Sequence, residues 1–215
     1  MKKIISTYFL ASAIFSADAE DVAKFDSRMV TAEVTVTNGV KWVDGKFLPV
    51  EGKPFDESET ETYFERLPKA AVGNEGVQAM KNHTTRMQLR FTTDSKRVLV
   101  KWKNDGCAFT HFTAIGRSGI DVYRLCEKTG KWRYVLSGWP NANVESALSC
   151  DWTPGEACLI NLPLYNKVEY IKVGIDEGAS FSAPPPYKAA SKNRSFSTAL
   201  PLPTAAVARV RGSPS

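Results

Sequence analysis

The chain has 215 residues, enough for one domain with a substantial core, and carries a formal charge of +5 with a pI near 9.0. The excess sits at the two ends: Lys2 and Lys3 outnumber Asp18 in residues 1–19, and Lys192, Arg194, Arg209 and Arg211 stand without an acid in residues 192–215. Between them 22 basic residues meet 22 acidic ones, and a neutral body offers no footprint for nucleic acid, which excludes that partner class.

The chain opens as an export signal: two lysines, the apolar run IISTYFLASAIF, then Ala17-Asp18-Ala19, the small-x-small pattern that signal peptidase cuts. The apolar run is well short of the roughly 20 residues a spanning helix needs. Cleavage after Ala19 and a secreted or periplasmic protein are expected, and no later stretch is apolar enough to span a bilayer.

From Met29 the texture is β. MVTAEVTVTNG ends in Asn38-Gly39 and leads into VKWVDGKFLPV, which predicts a hairpin, with a second turn signal at Asp44-Gly45. RMQLRFTT and KRVLVKWK alternate apolar and charged residues around a Thr-Asp-Ser turn, and GIDVYRL, KWRYVLSG, ACLINLPLY and EYIKVGID continue the period of two. No stretch of comparable length repeats apolar residues at helical spacing. The prediction is an all-β domain over residues 20–176, an antiparallel β-sandwich or jelly roll, with Trp42, Trp102 and Trp132 in its core. Residues 177–191, with three consecutive prolines, read as an extended linker, and residues 192–215 as a disordered tail.

All four cysteines, Cys107, Cys126, Cys150 and Cys158, follow the signal, and an even count in an exported chain points to two disulfides. Of the three pairings, Cys150 with Cys158 is attractive because it closes a short loop holding Trp152, Pro154 and Gly155, leaving Cys107 for Cys126. A zinc site would need CxxC-type spacing, which is absent, and the two histidines, His83 and His111, lie far apart and read as surface or packing residues. No metal or other cofactor is expected.

The segment GRSGIDVYRL carries a Gly-x-Asp-Leu-Tyr pattern at Gly119, Asp121 and Tyr123, with Val122 in place of the usual Leu. VKWVDG, YFERLPKAA with Arg66-Leu67-Pro68, LRFTTDSKRVLVKWK and NLPLYNKVEYIKVGID flank it in order. Over residues 40–176 the chain resembles the N-terminal β-domain named after this motif, which precedes an SGNH hydrolase domain in esterases that remove acyl groups from carbohydrates. The resemblance implies a β-sandwich similar to carbohydrate-binding modules. Read by itself, the motif has a structural role: Gly119 relieves a turn, Asp121 accepts backbone hydrogens where the strand begins, and Tyr123 buries its ring; Arg66 and Pro68 are expected to be structural as well.

The hydrolase domain should follow, opening with the turn that presents its nucleophilic serine, and an isolated serine without a base and oxyanion donors performs no chemistry. If Lys192 and Asn193 are encoded by a run of A, residues 192–215 back-translate so that a frame beginning one base earlier resembles that opening block, including its nucleophile turn GTSI. The nucleophile codon would straddle Leu200 and Pro201. A frameshift in the gene, or an indel in the determined sequence, is therefore expected near Lys192-Asn193, and the chain should lack the catalytic domain.

Three functions follow. The first is an accessory domain of a secreted SGNH-type esterase on carbohydrate esters, inactive alone. The second is a stand-alone carbohydrate-binding module, with Trp139 as stacking platform and Trp152 and Tyr165 behind it. The third is a scaffold that packs on its own hydrolase domain and exposes an apolar patch without it.

Overall fold

The computed structural model describes residues 34–71, 73–106, 111–142 and 144–187; the export signal, Cys107 and the tail from Lys192 with its expected frameshift lie outside them. Asn38 and Gly39 have φ of 54° and 70°, the paired left-handed geometry of a type I′ turn. They join β1 (Val34–Thr37) to β2 (Val40–Asp44), with Thr37 opposite Val40. Asp44-Gly45 starts a single 3-10 turn, Gly45–Phe47, because the Asp44 carboxylate caps it by accepting from the Lys46 N–H at 3.0 Å.

The remaining elements are β3 (Val50–Glu51), α1 (Glu75–Met80), β4 (Gln88–Thr93), β5 (Arg97–Asn104), α2 (Ala114–Ser118), β6 (Ile120–Cys126), β7 (Lys131–Gly138), β8 (Ser146–Asp151), β9 (Ala157–Asn161), β10 (Val168–Asp176) and β11 (Phe181–Ser182). They form two antiparallel sheets, ordered β1-β2-β10-β5-β8 and β11-β4-β9-β6-β7, with β3 paired to β4. The Thr-Asp-Ser turn between β4 and β5 carries the chain from one sheet to the other rather than closing a hairpin. The fold is the expected β-sandwich.

Alternation decides which side chains enter the core. Along β5, Val98, Val100, Trp102 and Asn104 are buried in turn, and Leu89 and Phe91 of β4, Ile120 and Val122 of β6, Ile160 of β9, and Ile171 and Val173 of β10 join them. Trp102 is fully buried as predicted, but Trp42 and Trp132 are only partly covered. Trp42 shares the opposite face with Lys101, whose ammonium lies 4.9 Å from its ring centre, since the next residue, Val43, takes the inward position.

The structure does not form the predicted disulfides among its described cysteines, and Cys107 lies outside the described residues. Cys126, Cys150 and Cys158 are free thiols. Cys150 and Cys158 are core residues of opposite sheets, not the rim of a short loop; Cys150 Sγ points to the Val98 carbonyl at 3.6 Å. It also moves the end of the domain. Phe181 and Ser182, inside the predicted linker, pair with Thr93 and Thr92, and Arg90 Nη1 donates to the Pro185 carbonyl at 2.8 Å. Phe181 meets Phe91 edge-on at 5.3 Å, so an aromatic contact fastens a segment whose prolines suggested only extension.

Candidate functional site

The Gly-x-Asp motif begins where α2 ends. Ser118 is fully buried and acts as a hub: its carbonyl accepts from Trp102 Nε1 at 3.3 Å and Asn104 Nδ2 at 2.8 Å, and its hydroxyl from Asn166 Nδ2 at 2.8 Å. These bonds draw the chain inward just before Gly119. A Cβ on Gly119 would lie 2.5 Å from the Ile115 carbonyl and 2.8 Å from that of Gly138, so the motif glycine is required by close approach of backbone on two sides. Its φ of −73° is ordinary.

Beyond it, alternation sends Ile120 and Val122 into the core and Asp121 and Tyr123 to the outer face of the sheet. Asp121 accepts from a side chain, Ser137 Oγ at 2.5 Å, not from the backbone hydrogens expected, and Ser137 also bonds Tyr134 Oη at 3.0 Å. The Tyr123 ring is only partly covered, meeting Tyr134 edge-on at 5.8 Å.

Strand register sets Gln88 opposite Asn161, Asn161 opposite Asp121, and Asp121 opposite Ser137, one polar row across four strands. This row floors an open cleft of about 430 Å³, walled by Ile115, Leu162 and Leu164. Gln88 is tied to Glu51 at 2.7 Å. Arg86 stands exposed at the cleft with φ of 70°. Its peptide is fixed from two directions. Met87 N–H bonds Thr84, whose buried hydroxyl donates to the Pro163 carbonyl at 2.7 Å, and behind it only a glycine fits at position 52, because a Cβ there would sit 2.1 Å from the Arg86 carbonyl oxygen. Nothing in spacing or composition marks Arg86, Asn161 or Ser137; register unites Asn161 and Ser137 with Asp121, and the segment before β4 brings Arg86 to the same cleft.

A second cleft, about 400 Å³, borders the first through α2 and the 163–166 loop and is lined by Met80, His83, His111, Phe112, Arg117 and Tyr165. Phe112 lies 5.0 Å from Tyr165 and 5.6 Å from His111. Burial, then the Arg66 and Arg117 cations, hold His83 below the usual imidazole value and favour its neutral form. No serine lines this cleft, while Ser137 commits its hydroxyl to a carboxylate, so neither cleft assembles a serine–histidine pair.

Of the sequence-derived sugar contacts, Trp139 is 69% exposed and Tyr165 39%. Both lie at the end of the sandwich where β7 stops and β6 starts. Trp152 is corrected: it lies past β8 at the opposite end, 5% exposed, with its indole N–H on the Glu156 carbonyl at 3.0 Å. Arg66 is tied by its backbone N–H to Lys81 at 3.0 Å, and the Pro68 carbonyl accepts from Ala71 at 2.9 Å, both outside the two clefts.

These features define an antiparallel β-sandwich module whose described residues hold clefts but no paired serine and histidine. The chain belongs to the GxDLY family, the N-terminal domain of SGNH-hydrolase-type esterases, whose profile matches residues 40–181. Among solved structures it is similar to a GDSL-like lipase of Bacteroides ovatus, with 22% identity and a TM-score of 0.59 over 68% of this chain and 43% of that one. A salicylyl-acyltransferase from a tetracycline biosynthetic pathway aligns at 15% identity and a TM-score of 0.39, over 74% of this chain and 38% of that one. The chain thus spans less than half the length of either protein. No curated protein matches it.

Proposed function

We propose that the sandwich is the accessory N-terminal domain of a secreted SGNH-type esterase acting on carbohydrate esters, and that this chain does not itself carry the hydrolase chemistry. The observation that carries this reading is the family match over residues 40–181. The lack of an activated nucleophile in either cleft supports its second half, because ester hydrolysis needs a serine with a base and oxyanion donors in reach. The test is hydrolysis of p-nitrophenyl acetate and acetylated xylan by the purified chain. Rates equal to a heat-denatured control are expected, and turnover above that control overturns the reading.

A second reading, a stand-alone carbohydrate-binding module, is favoured by one observation: Trp139 and Tyr165 are exposed at one end of the sandwich, as stacking on sugar rings would need. Pull-down on insoluble xylan and cellulose separates it from a purely structural domain.

A further inference from the structure

We propose that the motif face is itself a sugar subsite, in which Asp121, Asn161 and Arg86 hydrogen-bond a neutral saccharide lying across the sheet beside Tyr134. The inference rests on the carbohydrate reading above but moves the contact away from the tryptophans that the sequence singled out.

The hydrogen-bonding inventory of the cleft is unspent. Asp121 uses Oδ1 for Ser137, the Asn161 amide makes no side-chain hydrogen bond among the described residues, and the Arg86 guanidinium has no ion-pair partner among them. Asp121 can only accept, Arg86 can only donate and Asn161 does both. Their charges select the ligand: an anion attracted by Arg86 is repelled by Asp121, and a cation meets the reverse. A hydroxyl both donates and accepts, so a polyol can satisfy all three groups.

Geometry supports the same ligand. Asp121 and Asn161 are directly opposed on adjacent strands, which places their Cβ atoms about 5 Å apart, close enough to bracket hydroxyls of one ring. The apolar wall at Ile115 and Leu164 and the exposed Tyr134 ring, next to Ser137, offer surfaces for the C–H face of a pyranose. The volume of about 430 Å³ lies within the range of small-ligand sites.

Backbone strain at Arg86 is the independent observation. A left-handed conformation is unfavourable for a non-glycine residue, and here it is held from both sides so that a long cation projects at the cleft rather than the hydrogen a glycine would leave.

The test is isothermal titration of the full chain with xylopentaose, cellopentaose and mannopentaose, beside pentagalacturonate as the anionic counterpart. Asn161→Ala removes no hydrogen bond from the described fold and Asp121→Asn keeps an acceptor for Ser137; melting curves for both variants should match the wild type. Binding of at least one neutral probe, weakened about tenfold in N161A and ten- to a hundredfold in D121N, is expected. Unchanged affinity in both variants, with loss in Trp139→Ala or Tyr165→Ala, overturns the motif-face site and leaves the carbohydrate reading standing. Binding of the anionic probe alone overturns the neutral-ligand assignment. No binding of any probe at millimolar concentration overturns both.

Discussion

Replacing Gly119 by alanine separates a steric requirement from a conformational one. Because φ at this position is −73°, alanine adopts the backbone without strain, and the only obstacle is the added methyl. That methyl would meet two carbonyl oxygens, of Ile115 at 2.5 Å and Gly138 at 2.8 Å, and neither can swing aside as a flexible side chain could. The first belongs to the α2 turn and accepts the Gly119 N–H at 2.9 Å; the second lies at the end of β7, where Ile120 pairs with Gly138. Overpacking of this kind costs about 1–3 kcal/mol, and the upper end applies because both obstacles are backbone, while the stiffer unfolded chain offsets it by at most about 1 kcal/mol. A net loss of roughly 2 kcal/mol corresponds to a fall in Tm of about 4–8 °C for a domain of this size. The assay is scanning calorimetry, with Gly178→Ala as the control because no atom lies within 4 Å of its added Cβ. If G119A melts with the wild type, the close approach is not what fixes glycine in the motif.

Acid should expose the pairing of Asp176. Burial alone would raise its carboxyl, but hydrogen bonds from Arg97 Nε at 2.5 Å, Ser95 Oγ at 2.9 Å and the Lys96 N–H at 3.1 Å outweigh this and hold it below its ordinary 3.8. Its contribution is complete above that value and is lost as pH falls through the lower folded value, so Asp176→Asn should flatten the acid limb of stability against pH, measured by chemical denaturation; an unaltered limb refutes the assignment. The thiols should react in order of burial: a hydrogen bond with Thr129 lowers Cys126, while burial raises Cys150 and raises the enclosed Cys158 furthest. Iodoacetamide labelling followed by peptide mass spectrometry should therefore find Cys126 modified well before Cys158 in the native protein, and equal rates would contradict the buried positions.

Local chemistry was legible along the chain and cross-strand chemistry was not. Asn38-Gly39 announces its own turn, and alternation in KRVLVKWK places Val98, Val100 and Trp102 correctly, because both depend on neighbouring residues alone. The same alternation puts Asp121 and Tyr123 on one face, but Asn161, the partner of Asp121, is set by register with β9, about forty residues on, which no local pattern encodes. Trp139 and Trp152 look alike in sequence, each just past a strand and close to a proline. Their fates diverge because the Trp152 N–H bonds the Lys96 carbonyl at 2.7 Å and its indole closes on Glu156, folding the ring inward. Phe181 was read with the prolines after it, although its ring had a seat against Phe91.

The order of the five-stranded sheet governs when the domain can assemble during synthesis. β10, the last long strand to be made, lies between β2 and β5, so the hairpin β1-β2 and the pair β5-β8 share no neighbour until residues 168–176 exist. Each is by itself a two-stranded ribbon, too small to hold together in water. A nascent chain that ends anywhere before β10 therefore has half a sandwich and nothing to close it. The two sheets lock together only when nearly the whole domain has been synthesised.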